Sequence, residues 1–82
     1  MTPQAPVLSV DAIGKKCPLP IIMLARRIAD VPVGSLIEVL ADDPASKADV
    51  PAWCRLKSHE FVRVSEITAG ADGWAFLVRR SY

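Results

Sequence analysis

The chemistry of this chain is concentrated in one short segment, Gly14-Lys15-Lys16-Cys17-Pro18-Leu19-Pro20. Prolines in the first turn of a helix cost little, because the first N–H groups of a helix have no intrahelical partner. Cys-Pro-Leu-Pro therefore reads as a stiffened helix start, with Cys17 at or next to the N-cap. Three effects there favour thiolate over thiol. The positive end of the helix dipole points at the sulfur, free N–H groups near Leu19 or Ile21 can donate to it, and Lys15 and Lys16 add positive charge. A cysteine is a poor cap compared with Ser, Thr, Asp or Asn, so its position argues for reactivity rather than structure. Pro20 stands where a thioredoxin-like Cys-x-x-Cys would place its second cysteine. A single thiol suits accepting and passing on a group better than dithiol redox cycling.

The elements that must position this segment follow from periodicity. Val7 to Asp11 alternates as a short strand. From Pro18 to about Asp30, Ile21, Leu24, Ala25 and Ile28 recur on one helical face, and Pro32 and Gly34 end that helix. Leu36 to Ala41 is a short, nearly all-apolar run, expected in the middle of a sheet. Asp42-Asp43-Pro44 is a turn and helix-start signal. The spacing then predicts a loose turn over 44–48 and a firm helix from about Asp49 to Lys57, with Asp49 as its cap rather than a catalytic acid and Pro51 in its first turn. Ala48, Ala52, Trp53 and Leu56 form its apolar stripe. Phe61 to Ile67 and Trp74 to Val78 alternate as strands, and Ala69-Gly70-Ala71-Asp72-Gly73 has hairpin-loop chemistry. The order β-α-β-α-β-β predicts an α/β two-layer sandwich, with two helices packed on one face of a four-stranded mixed sheet.

Composition sets outer limits. The chain has 82 residues, enough for one domain, here 7–80 after a flexible tail over 1–6. Half of it is hydrophobic (51%), so a packed core rather than disorder is expected. Ten Lys and Arg against nine Asp and Glu leave a net charge of +1, which gives no electrostatic case for nucleic acid. Neither a signal peptide nor an apolar run of membrane-spanning length is visible, so the expectation is a cytoplasmic protein whose two cysteines are free thiols.

The remaining candidates have plainer readings. Cys54 reads as core filler. His59 lacks the neighbours of a metal site and reads as a hydrogen-bonding residue at a helix end. Asp42 and Asp43 read as turn formers or as partner contacts, and Lys15 and Lys16 as a solvated loop or as contacts to the sulfur or a partner. Trp53 and Trp74 read as packing, and Arg79-Arg80 as a solvated tail. No metal or other cofactor is called for.

Nearly the whole chain, from about Val10 to Val78, resembles the TusA-type sulfur carriers, also described as SirA-like. Asp11-x-x-Gly14-x-x-Cys17-Pro18-x-Pro20 resembles the family's strand, turn and helix start. Ala41-Asp42-Asp43-Pro44 resembles its acidic turn, and Asp49-Val50-Pro51-Ala52-Trp53-Cys54 with His59-Glu60-Phe61 its second helix and third-strand entry. The resemblance implies a two-layer α/β sandwich. It also implies that Cys17 takes persulfide sulfur from a cysteine desulfurase or similar donor and passes it to an acceptor protein, in tRNA thiolation, cofactor sulfuration or sulfur metabolism. Three positions depart from the family's usual pattern: Ile13 where Arg is frequent, Lys15 where an apolar residue is, and Ser58 where Gly precedes the His-Glu pair. A different class, a non-catalytic interaction or regulatory module with Cys17 as a redox-sensitive thiol, is the alternative. A thiol oxidoreductase pairing Cys17 with Cys54 is a third.

Overall fold

In a computed structural model, residues 5–67 and 72–82 are described. The elements are β1 (Leu8–Ala12), α1 (Leu19–Arg27) continued by a 3-10 turn over Ile28–Asp30, β2 (Leu36–Ala41), α2 (Ser46–Lys57), β3 (Glu60–Glu66) and β4 (Trp74–Arg79). The sheet order is β1-β2-β4-β3; β1 and β2 are parallel, and the other two pairings are antiparallel. Two helices on a four-stranded mixed sheet in β-α-β-α-β-β order is the architecture predicted. Of the predicted hairpin loop, Ala69 to Ala71 lie outside the described residues.

The register builds the core. Val10 pairs with Val39 and Ala12 with Ala41, while Ile37 and Val39 pair across β4 with Val78 and Phe76. These side chains share one face because strand side chains alternate, and all are buried there. Leu24 of α1 and Val50, Trp53 and Cys54 of α2 close the same cluster. Full burial of Leu24 alone is worth about 1.5–3 kcal/mol. In β3 the register shifts between Phe61 and Arg63. That bulge interrupts the simple alternation predicted for 61–67 and brings Phe61 and Val64 opposite Val78 and Phe76.

The second helix departs from expectation in start and in face. It begins at Ser46, three residues before Asp49, and Pro51 lies inside it. Asp43 explains the early start: its Oδ1 accepts the N–H of Ala45 and its carbonyl that of Ser46, at 3.1 and 2.9 Å. This is the local Asp turn that opens helices. Pro51 then removes one ladder bond, to Lys47, on an exposed turn where water can serve the carbonyl. The buried stripe is Ser46, Val50, Trp53 and Cys54. Of the predicted stripe only Trp53 is inside; Ala48 and Ala52 are exposed, and Leu56 is 77% exposed. Val50 and Cys54 are fully buried and take the inward positions. On α1, Leu24 is buried and Ile21 and Ile28 pack against the core, but Ala25 is exposed.

Candidate functional site

Because β1 and β2 are parallel and in register from Leu8↔Ile37 to Ala12↔Ala41, both end at the same level. The loops that follow, 13–18 and 42–45, therefore lie side by side. The crevice outside the carboxyl ends of parallel strands is the usual place for function in such sheets. Here it holds Cys17.

The loop is tied down residue by residue. Asp11 Oδ1 accepts the N–H of Ile13 at 3.0 Å, and the Lys15 N–H donates to the Ala12 carbonyl at 3.1 Å. Gly14 takes a positive φ of 82°, a conformation that favours glycine. From the neighbouring loop, Asp42 Oδ1 accepts the Gly14 N–H at 2.9 Å, and Asp43 Oδ2 accepts the Cys17 N–H at 2.8 Å. Asp42 and Asp43, ambiguous in the sequence, thus bind the backbone of the cysteine loop. The N–H groups of Cys17, foremost, and of Ala45, with the Lys16 charge, hold the Asp43 carboxyl below its usual range.

Pro18 is the N-cap of α1 and Pro20 lies in its first turn, buried. The Cys17–Pro18 peptide bond is cis. Cys17 itself is exposed. Its Sγ lies 2.6 Å from Asp49 Oδ2, with the thiol as donor. This contact overturns the thiolate expectation. The hydrogen bond to Asp49 is the main force raising the thiol above its ordinary value; residual burial and the charges of Asp49 and Asp43 add to it. Lys15 and Lys16 are both exposed, where solvent screens their charge. One predicted donor is also committed elsewhere, since the Leu19 N–H donates to the Lys16 carbonyl at 2.8 Å.

Asp49, expected as a cap, is the site residue that periodicity missed; the N-cap of α2 is Ala45, with no side-chain capping bond. One signal for it was on the chain: Asp49 opens the Asp49-Val50-Pro51-Ala52-Trp53-Cys54 stretch that resembles the family's second helix. Cys54 is buried in the core, and burial pushes its thiol up to about 11. It is not a partner for Cys17; both thiols are free. His59 lies ten residues beyond Asp49, roughly 15 Å along the helix direction. Its Nδ1 accepts the Ser81 N–H at 3.1 Å, and its ring stacks between Trp53 and Tyr82. It takes no part in the cysteine site. Arg79 and Arg80 are structural rather than a free tail: Arg79 bonds the Gly34 carbonyl, and Arg80 bonds those of Ala29 and Val31. Trp74 lies under the Lys47 ammonium at 4.9 Å. Among the described residues no group of His, Cys, Asp and Glu could hold a metal ion, and no helix is long and apolar enough to cross a membrane.

Fold and site together define a class: a small two-layer α/β domain presenting one exposed cysteine at a proline-stiffened helix start. A family profile described as "Sulfurtransferase TusA" matches residues 8–80. The chain belongs to this TusA family. Similar relatives include the sulfur carrier protein TusA of Pseudomonas syringae pv. syringae, 42% identical over 65% of this chain and 63% of that protein. The same-named protein of Pseudomonas fluorescens is 41% identical over 71% of this chain and 70% of its own length. That of Pseudomonas putida F1 is 35% identical over 80% and 82%. With the first of these, the match spans less than two thirds of the relative's length. The crystal structure of a SirA-like protein from Desulfitobacterium hafniense superposes with a TM-score of 0.71 over 93% of this chain and all of that one; at 17% identity it shares the fold.

Proposed function

We propose that this protein is a sulfur carrier in which Cys17 receives sulfur from a persulfide donor, such as a cysteine desulfurase, and hands it to an acceptor protein. The observation that carries this reading is the pairing of exposure with restraint at one cysteine. The sulfur faces solvent while Asp43 fixes its backbone, and the second thiol of the chain is buried in the core. A partner can therefore reach the sulfur, and no resolving thiol competes with it. Family membership and relatives named as sulfur carriers support the same reading.

The transfer is an exchange between sulfurs. Cys17 Sγ attacks the terminal sulfur of the donor R–S–SH, a new Sγ–S bond forms, and the donor's S–S bond breaks with its electron pair on the donor sulfur. The proton lost from Cys17 ends on that sulfur, giving Cys17–S–SH and R–SH with no external oxidant. Release repeats the step, with the acceptor thiol attacking the terminal sulfur of Cys17–S–SH. Lys15 and Lys16, exposed beside Cys17, are the residues we assign to docking; Asp42 and Asp43 serve by shaping the loop.

Incubation with a cysteine desulfurase and cysteine, followed by intact mass, tests the proposal. The expected product is the chain carrying one added sulfur atom, removed by reductant and absent in Cys17→Ala. Failure to take up sulfur from desulfurases and from small persulfides alike would overturn it in favour of a binding module.

A further inference from the structure

Asp49 lies in the first turn of α2, where a carboxylate complements the helix dipole, but that place does not call for its contact with another element. It does not cap α2. It is absent from the ion pairs of the described residues, which join Arg27 with Asp30 and Arg79 with Glu60. Its Oδ2 instead meets Cys17 Sγ at 2.6 Å, across 32 positions of sequence and between two separate elements. A half-buried carboxylate aimed at a thiol accepts a hydrogen bond from S–H and can only repel S⁻.

On these grounds we propose that Asp49 is a positioning residue that holds Cys17 as a protonated thiol in the free carrier, and so sets when the sulfur becomes a nucleophile. The inference rests on the carrier reading and adds a control to the same site. The other charged groups around Cys17 do not cancel Asp49. Lys15 and Lys16 flank it in its own loop and are exposed, and the second acid at the site, Asp43, is occupied by the N–H groups of Cys17 and Ala45. The start of α1 contributes its dipole in the opposite sense, but Asp49 is in direct contact and dominates the thiol. Only the thiolate reacts readily with oxidants and alkylating agents. A carrier that waits as a thiol is therefore protected between loadings, and a donor that engages the Asp49 carboxylate frees the sulfur where it is needed.

The test is alkylation of Cys17 by iodoacetamide against pH, read by peptide mass so that Cys54 does not contribute, in the wild-type chain, Asp49→Asn and Asp49→Glu. The wild-type profile is expected to have its midpoint above the ordinary thiol value of about 8.5. Asp49→Asn should lower that midpoint and raise the rate near neutral pH, about tenfold for each pH unit by which the midpoint falls. Asp49→Glu should restore much of the suppression. A wild-type midpoint below the ordinary value, or coincident wild-type and Asn profiles, would overturn the proposal; the first result needs no variant to fold. No sulfur donor is present in this measurement. Failure of the carrier reading appears separately, as absence of sulfur uptake.

Discussion

The Asp43 carboxylate accepts the Cys17 N–H at 2.8 Å through one oxygen and the Ala45 N–H at 3.1 Å through the other. A single side chain thus anchors the cysteine loop and opens α2, which carries Asp49 to the sulfur. Local turn chemistry and the functional site are the same bonds.

Removing that anchor should loosen the cysteine without unfolding the domain. In Asp43→Ala, exchange of the Cys17 amide hydrogen is expected to quicken by about tenfold or more, as befits loss of a bond to a charged acceptor. Sulfur uptake should fall several-fold. Because the folded carboxyl titrates low, the anchor is present at neutral pH and is lost as pH falls through its depressed value. Amide exchange and uptake measured on the same samples check both effects.

Ser58 ends α2 in the left-handed region, at φ 61° and ψ 32°, where a side chain is strained. Its N–H bonds the Arg55 carbonyl, and that of His59 bonds the Cys54 carbonyl, in the manner of a glycine-type helix end. Ser58→Gly is therefore expected to stabilise the protein by about 0.5–1 kcal/mol, seen as a higher urea midpoint at unchanged slope.

His59 contributes a pH dependence at the acid side. Burial, with a smaller effect of the Arg80 charge, lowers its titration below the ordinary 6.5. As pH falls below about 6.5, the unfolded chain takes up this proton before the folded one does, so stability declines until the folded ring also titrates. His59→Phe keeps an aromatic ring between Trp53 and Tyr82 and should flatten the urea midpoint between about pH 7 and 5; an unchanged slope against pH would refute this.

At the alkaline side the buried Cys54 dominates. Its thiol titrates at about 11 when folded, against the ordinary thiol value of about 8.5. Stability should hold below about pH 8.5 and decline from there toward 11, as this thiol ionises only in the unfolded chain within that window. Cys54→Ala is expected to cost about 1 kcal/mol or more near neutral pH through lost packing, and to remove much of that alkaline decline.

Much of the fold was legible in the amino-acid sequence alone. The strand-forming residues of 61–67 and 74–78, the apolar run Leu36 to Ala41 and the prolines at 18 and 20 report local preferences, which placed the elements, although the bulge at Phe61 broke the alternation expected of β3. Gly14 and the single cysteine of Cys-Pro-Leu-Pro belong to the same class of signal. The protonation of Cys17 does not. The helix start and the lysines favour thiolate when only sequence neighbours count, but the nearest charge is Asp49, 32 positions away. It reaches the sulfur because parallel pairing of β1 with β2 sets two loops side by side, and because the Asp43 turn starts α2 at Ser46 rather than Asp49. That Cys17 stands at the start of α1 therefore follows from the order of residues. The charge on that residue is set in three dimensions, since Coulomb and hydrogen-bond energies depend on distance in space and not along the chain.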